Sequence, residues 1–316
     1  MFLSESLLPV LLLVSFISSI IVIYLNRVNI RKILSQIDRK TWAVLFLIFV
    51  IALALRIFIP PHAHMWFNPE LRDIDSARSL LEDGKTYDLL FPLGWPFILS
   101  IVFALFGLSN MTAIYTCLAL GALTVFPLFI VLFAITKRKD LALIPPLLLA
   151  IYSPHLRWST SARANVPALF FLLCCIFFFF VYYKYRDNRS LWLVALSLAF
   201  TVQFRPEYFV LPLLFFIGCF IYIKGFFAKA MKIRFIIPFF IFILLALPSL
   251  SNVIFQELSV NRLGKDHLPQ EVRSEVGLSL DNLIFNSTTF GIYVFNSSLQ
   301  PIFFSFLPDQ ESLFLV

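Results

Sequence analysis

The chain is dominated by apolar runs of close to twenty residues, and this feature limits its possible folds more than any other. A helix of about 20 residues spans the ~30 Å hydrocarbon core of a bilayer. That core offers no water to backbone polar groups, so each run is expected to pair them internally as an α-helix. The runs lie at approximately 7–25, 42–59, 91–108, 111–135, 141–153, 166–183, 191–204, 208–223 and 235–250.

The few charged residues support the same conclusion. They make up 14% of the chain, whereas 60% is hydrophobic. A soluble globular protein is roughly 25% charged, so this chain has too few charges to cover a water-facing surface. The net charge of +7 is spread over short links rather than gathered on a soluble basic face, which excludes a nucleic-acid partner. We therefore predict an all-α polytopic membrane protein.

Most basic residues lie in short links between the apolar runs. These links hold 15 of the 25 lysines and arginines, and they are 26–40, 136–140, 184–189 and 224–234. By the positive-inside rule they are predicted to be cytoplasmic. The remaining links hold all four histidines and are predicted to face outside. They are 60–90 and 251 onward, which are rich in acids, and 154–165.

This topology constrains two neighbouring runs. Runs 91–108 and 111–135 lie between an outer loop and an inner link, so an odd number of them crosses. Run 91–108 is the shorter and opens with Pro92 and Pro96. It is predicted to lie along or dip into the outer leaflet, while run 111–135 crosses. In the alternative both runs cross and the charge signal fails at one link.

Three parts of the chain are expected. Residues 1–40 form an extra N-terminal transmembrane helix with its basic link, because Glu5 and the lack of a cleavage motif argue against a signal peptide. Residues 41–250 form the helical core, with a long outer loop at 60–110 that contains short amphipathic helices. Residues 251–316 form an outer segment that stops where a further apolar run begins, as in a shortened chain.

The loop after the second apolar run carries the first candidate site. Asp73 and Asp75 are separated by one residue, with Glu70 and Arg72 beside them. A carboxylate just outside the membrane can act as a general base toward a hydroxyl. Two carboxylates can instead hold a divalent cation, or the acids simply keep the loop solvated. Residues 76–84 are predicted to form a short amphipathic helix that fixes the acids at its start.

Two further polar interruptions separate apolar runs. The interruption at 153–168 has polar residues that either bind a lipid phosphate or extend toward head groups, and they are His155, Arg157, Arg163 and Asn165. In the second, Arg205 and Glu207 stand so near the membrane that they are either functional or paired in a tight turn. His62 and His64 lack a third ligand at a fitting spacing, so no metal is predicted there.

Several motifs follow one another in a specific order. A P-L-x-x-P segment at Pro92–Pro96 precedes Leu-Phe-Gly at 105–107, and a helix then ends in three basic residues at 137–139. Ser-Pro-His-Leu at 153–156 and Arg-Pro-Glu at 205–207 follow. This order resembles the membrane glycosyltransferase superfamily of GT-C fold, which includes protein O-mannosyltransferases, the lipid A aminoarabinose transferase and the catalytic subunit of oligosaccharyltransferase.

The resemblance implies a GT-C-like helical bundle that transfers a sugar, with inversion, from a polyprenyl-phosphate donor to an acceptor at the outer face. An outer-loop acid, Asp73 or Asp75 with Glu70 as the rival, would deprotonate the acceptor. The lipid phosphate would be held by nearby polar side chains, namely Arg72, His155, Arg157, Arg163, Asn165, Arg205 and Glu207.

The chain also departs from this family. The family acid usually lies about eight residues before an Ala-Arg pair such as Ala77-Arg78, and Pro69 occupies that position here. The second outer turn lacks the acid of metal-dependent relatives, with Asn165 the nearest polar residue. A catalytic divalent cation is therefore doubtful, and no cofactor is expected.

Two other functions stay open at this point. One is a membrane transporter or flippase, and the other is an inactive subunit that needs a membrane partner to complete its fold. In each case the expected location is the plasma membrane of a prokaryote, among membrane lipids, with the acid-bearing loop outside. The sugar and the acceptor, whether protein, lipid or glycan, are not determined by the sequence.

Overall fold

The computed structural model describes residues 2–58, 69–85, 92–222 and 236–246. Within these ranges the chain is helical and has no strand. Its helices are α1 (Phe2–Leu25), α2 (Arg27–Leu34), α3 (Arg39–Phe58), α4 (Pro69–Glu82), α5 (Gly94–Phe106), α6 (Asn110–Leu123), α7 (Val125–Thr136), α8 (Lys139–Ile151), α9 (Ser153–Ser159), α10 (Asn165–Tyr185), α11 (Asn188–Thr201), α12 (Val210–Tyr222) and α13 (Ile236–Ala246), with a 3-10 turn at Pro206–Phe209.

In the part of the chain that the structure describes, four helical stretches are long and apolar enough to cross a bilayer. They are Leu7–Leu25 of α1, all of α3, the 27-residue stretch Asn110–Thr136 formed by α6 and α7, and α10. Their outward faces are apolar, as at Phe46 and Leu47 of α3, which are exposed. Side chains of this kind are stable against lipid and unfavourable against water. The structure thus indicates a membrane-embedded helical protein, as the apolar runs predict.

Three of the four basic links meet at one end of the bundle, which we call the basic end. Lys139 at the start of α8 pairs with Asp38, which precedes α3. The ammonium of Lys32 lies 5.9 Å from the ring centre of Tyr185, at the end of α10. Asn26 donates to the carbonyl of Arg189 at 3.0 Å, which joins α1 to α11. The fourth link, 224–234, lies outside the described residues.

Helix α1 is built into the core rather than attached to it. Leu12 is fully buried in the same apolar cluster as residues of α5 and α11. The ring of Phe16 lies 5.8 Å from that of Phe97 and 5.5 Å from that of Phe200, measured between centroids. Residues 1–40, predicted as an extra segment, therefore contribute packing to the middle of the bundle.

Helix α5 begins and ends on the side opposite the basic end. Its 13 residues extend only about 20 Å, less than the thickness of a hydrocarbon core. The Gly94 N–H donates to the carbonyl of Gln203, which follows the end of α11 that is farther from the basic end. The other end of α5 leads into Asn110, where α6 starts its course toward the basic end. This geometry favours the interpretation in which run 91–108 does not cross.

Helix α4 starts earlier than the predicted helix over 76–84. It spans Pro69–Glu82, because proline suits the first turn of a helix, where an N–H has no intrahelical acceptor. It ends at Glu82, two residues before Gly84, whose φ of 65° favours glycine. The prediction that Asp73 and Asp75 precede the helix is therefore wrong. Both acids lie inside α4. A helix turns about 100° per residue, so the side chains of Asp73 and Asp75 point about 200° apart around the helix axis.

Candidate functional site

Asp73 is a buried acid at the packing face of α4. It is 6% exposed and shares that face with Ile74 and Ala77, which belong to the same apolar cluster as Leu93 and Trp95. Arg72 donates from Nη2 to Asp73 Oδ1 at 3.0 Å. The fold thus holds the Asp73 carboxylate away from water and beside a guanidinium.

The other two predicted acids do not share this environment. The side chain of Asp75 is 67% exposed and lies 3.9 Å from Nη1 of Arg78. Glu70 belongs to the first turn of α4, and its side chain lies outside the described residues. Asp73 and Asp75 therefore do not face one shared cation.

No metal cluster is found in the ranges that the structure describes. There, no three His, Cys, Asp or Glu side chains come together in a way that could hold an ion. The H-x-H pair of His62 and His64 falls outside those ranges.

Two arginines from distant parts of the chain lie near Asp73. Burial raises the pKa of the Asp73 carboxyl to about 6, and the positive charges of Arg72, Arg205 and Arg163 oppose that rise. Arg163 lies in the turn before α10, and Arg205 follows α11. We call Asp73, Arg72, Arg163 and Arg205 the Asp73 site.

The start of α5 brings these segments together. The Trp95 indole N–H donates to the carbonyl of Ala162 at 2.7 Å, which fixes the turn that carries Arg163. The backbone of Gly94 packs directly on Gln203, where a Cβ on residue 94 would lie only 2.7 Å from the Gln203 carbonyl carbon. The Pro-Leu-Gly-Trp-Pro segment thus joins the two chain segments that supply arginines.

Around Arg205, a local ion pair accompanies the contact with the site. Arg205 Nη1 lies 3.9 Å from Glu207 Oε1, and the Glu207 side chain is 69% exposed. Tyr208 is half-buried, and burial raises the pKa of its hydroxyl. Arg205 therefore pairs locally with Glu207, as one of the two interpretations predicts, and its charge also acts on Asp73.

The polar residues of 153–168 do not form one group. Arg157 of α9 is exposed, and Asn165, the first residue of α10, is half-buried. The guanidinium of Arg163 lies over the Trp158 ring, 4.9 Å from its centroid. His155 points elsewhere, into a buried cluster with Arg56.

Arg56 belongs to none of the sites predicted from the sequence. It lies in the last turn of α3 and is fully buried, and its Nη2 is 2.6 Å from Nδ1 of His155. Burial, and next the charge of Arg56, lower the pKa of His155 to about 3, so the imidazole is neutral. An arginine inside an apolar run was the available signal, because charges there are costly and mark functional positions.

No family model, curated protein or solved structure matches this chain. The geometry of the Asp73 site and the order of the sequence motifs are therefore the features that bear on its function.

Proposed function

We propose that this protein is a GT-C-like glycosyltransferase that moves a sugar from a polyprenyl-phosphate donor to an acceptor at the extracytoplasmic membrane face. The observation that carries the proposal is the Asp73 site, in which one buried carboxylate stands among three arginines in a bundle of apolar helices. A carboxylate buried to this degree is costly to keep and commonly marks function.

Asp73 is suited to the role of general base. A pKa of about 6 leaves its carboxylate ionised at neutral pH and more basic than an ordinary aspartate. It would accept the proton of an acceptor hydroxyl as that oxygen attacks the anomeric carbon of the donor. The bond from that carbon to the phosphate oxygen breaks, the lipid phosphate leaves with the electron pair, and the configuration inverts.

The arginines are suited to the lipid phosphate. Guanidinium groups bind phosphate oxygens with two parallel hydrogen bonds, and they would stabilise the negative charge that develops on the leaving group. The polyprenyl chain is apolar and stays in the bilayer, so a phosphate site at one end of a membrane bundle fits this donor. If the basic end is cytoplasmic, the Asp73 site faces outside the plasma membrane of a prokaryote.

The first experiment measures whether the donor's lipid moiety binds. The full chain is reconstituted in lipid nanodiscs, and its thermal unfolding is followed with and without a polyprenyl phosphate. A ligand that binds the folded state raises the unfolding temperature. No rise at saturating polyprenyl phosphate would contradict the proposal.

The second experiment separates the acids. Native membrane vesicles that supply the acceptor receive a labelled polyprenyl-phosphate sugar, and release of polyprenyl phosphate is measured. We expect Asp73→Asn to lower release at least about 100-fold, because it removes the base. Asp75→Asn, on the exposed face of the same helix, is the matched control and should retain activity.

Glu70→Gln completes the set, since Glu70 was predicted as the rival base. Full release in Asp73→Asn would refute the assignment of the base, and its loss in Glu70→Gln alone would move that role to Glu70. Movement of the intact donor across the membrane without release of phosphate would instead identify a flippase.

A further inference from the structure

The buried cluster around Arg56 is not used by the proposed reaction. Its guanidinium donates from Nη1 to the Ala52 carbonyl at 2.7 Å, from Nε to Ser159 Oγ at 3.1 Å and from Nη2 to His155 Nδ1 at 2.6 Å. A buried charge is unfavourable unless it is well hydrogen-bonded. Within the described residues, the three groups that accept these hydrogen bonds from Arg56 are a carbonyl, a hydroxyl and an imidazole, and all three are neutral.

The bonds of Arg56 have one defined arrangement. Arginine has only donors, so Nδ1 of His155 accepts and the imidazole proton sits on Nε2. Ser159 Oγ donates to the His155 carbonyl and therefore accepts from Arg56. On the third side, a Cβ added to Gly121 of α6 would lie 2.5 Å from Ser159 Oγ and 3.1 Å from Arg56 Nε. The cluster is thus closely packed between α3, α6 and α9.

The cluster joins the two chain segments that lead into the Asp73 site. Arg56 lies in the last turn of α3, from which the chain continues toward α4 and Asp73. Ser159 ends α9, and Arg163 follows it by four residues. The turn that carries Arg163 thus has two attachments, the bond of Ala162 to Trp95 and the bonds of Arg56 to α9, and loss of the second would let Arg163 shift with respect to Asp73.

We propose that Arg56 is a positioning residue whose guanidinium holds α9 against α3 and thereby keeps Arg163 in the range where its charge acts on Asp73. Its importance for sugar transfer rests on the proposed function, whereas the hold on α9 is a property of the fold. The two are therefore measured separately.

The hold on α9 is measured by hydrogen exchange of the backbone in residues 160–165, in the full chain in nanodiscs. Ser159→Ala is compared with Ser190→Ala, since both serines are fully buried and each bonds across helices. Ser190 bonds to Asn26 Oδ1 at the basic end, so it reports general destabilisation. We expect Ser159→Ala to speed exchange in 160–165 about 5- to 30-fold and Ser190→Ala to leave it unchanged. Equal effects of the two substitutions would refute the hold.

His155 provides a second comparison. His155→Asn keeps an acceptor near the position of Nδ1, whereas His155→Gln moves its amide toward the position of Nε2. If the bond to Arg56 is what holds α9, His155→Asn preserves slow exchange in 160–165 and His155→Gln does not. The reverse result would contradict the proposal.

The functional consequence is measured by binding of a polyprenyl phosphate to Arg56→Gln, Arg163→Ala and the double variant. If Arg56 acts through Arg163, the double variant binds no more weakly than Arg163→Ala alone. If the losses multiply, Arg56 does not act through Arg163. Should Arg56→Gln fail to fold, Ser159→Ala replaces it in the same cycle. If the unaltered protein binds no polyprenyl phosphate, the proposed function fails, while the exchange experiments still decide whether Arg56 holds α9.

Discussion

The charged side chains at the two ends of the bundle differ in how far they are exposed. At the basic end, the side chains of Asp38 and Lys139 form an ion pair while each stays 42% exposed. At the other end, Asp73 and Arg56 are almost or fully buried. Exposed pairs cost little and contribute little, whereas a buried charge needs specific partners to be tolerated. The basic end therefore keeps its charges in contact with solvent, and the other end buries charges that need specific partners.

The two aspartates Asp38 and Asp73 show this contrast directly. The hydrogen bond from Lys139 lowers the pKa of Asp38, while burial raises that of Asp73 to about 6. One carboxylate is thus fixed as a charge at all physiological pH values. The other is placed where it can take up a proton near neutral pH.

The largest expected difference in stability compares His155→Leu with Asp38→Ala. Leucine leaves a buried guanidinium N–H of Arg56 without its acceptor, so we expect the free energy of unfolding to fall by about 3 kcal/mol. Asp38→Ala removes one partner of an exposed pair and should leave thermal stability unchanged. Denaturation in detergent measures both, and an equal loss would remove the distinction between the two ends.

The next comparison uses two glycines in helices. Gly121→Ala forces a Cβ against Ser159 Oγ, so we expect a loss of about 1–3 kcal/mol. At Gly218 of α12 the nearest atom to an added Cβ is Cζ of Phe179 at 3.6 Å, an ordinary contact. Gly218→Ala should therefore be neutral or stabilising, because alanine favours helices. A tolerated Gly121→Ala would show that the Arg56 cluster is loosely packed.

The smallest effect is on the pH dependence of polyprenyl phosphate release. Asp73 must be ionised to accept a proton, so the rate falls as pH drops through about 6. Arg72 lowers this pKa, and Arg72→Gln should therefore move the midpoint of the acidic limb above 6. Lys139→Gln at the basic end should leave the midpoint in place. A profile that is flat down to pH 5 would exclude Asp73 as the base.

Much of the fold follows from local properties of the chain. Run 111–135 corresponds to the continuous stretch Asn110–Thr136, and run 166–183 to α10. Helix length and hydropathy are enough for such predictions. The start of α4 was missed because its polar first turn has no apolar periodicity, and only Pro69 marked it.

The candidate site was predictable only in part. Asp73, Arg163 and Arg205 were each identified as polar residues beside apolar runs. Their proximity was not, because it depends on Trp95 bonding to Ala162 and Gly94 bonding to Gln203. Nor could spacing decide between Asp73 and Asp75, since the packing of α4 on α5 determines which one is buried.

By itself, the sequence determined that this chain forms apolar helices long enough for a membrane, separated by short links of which several are basic. These properties depend on residues that are close along the chain. Only the tertiary structure decided which acid is buried and that Arg56 bonds to Ser159 and His155, which lie 103 and 99 residues away. Such contacts depend on how whole helices pack, and no local pattern records that packing.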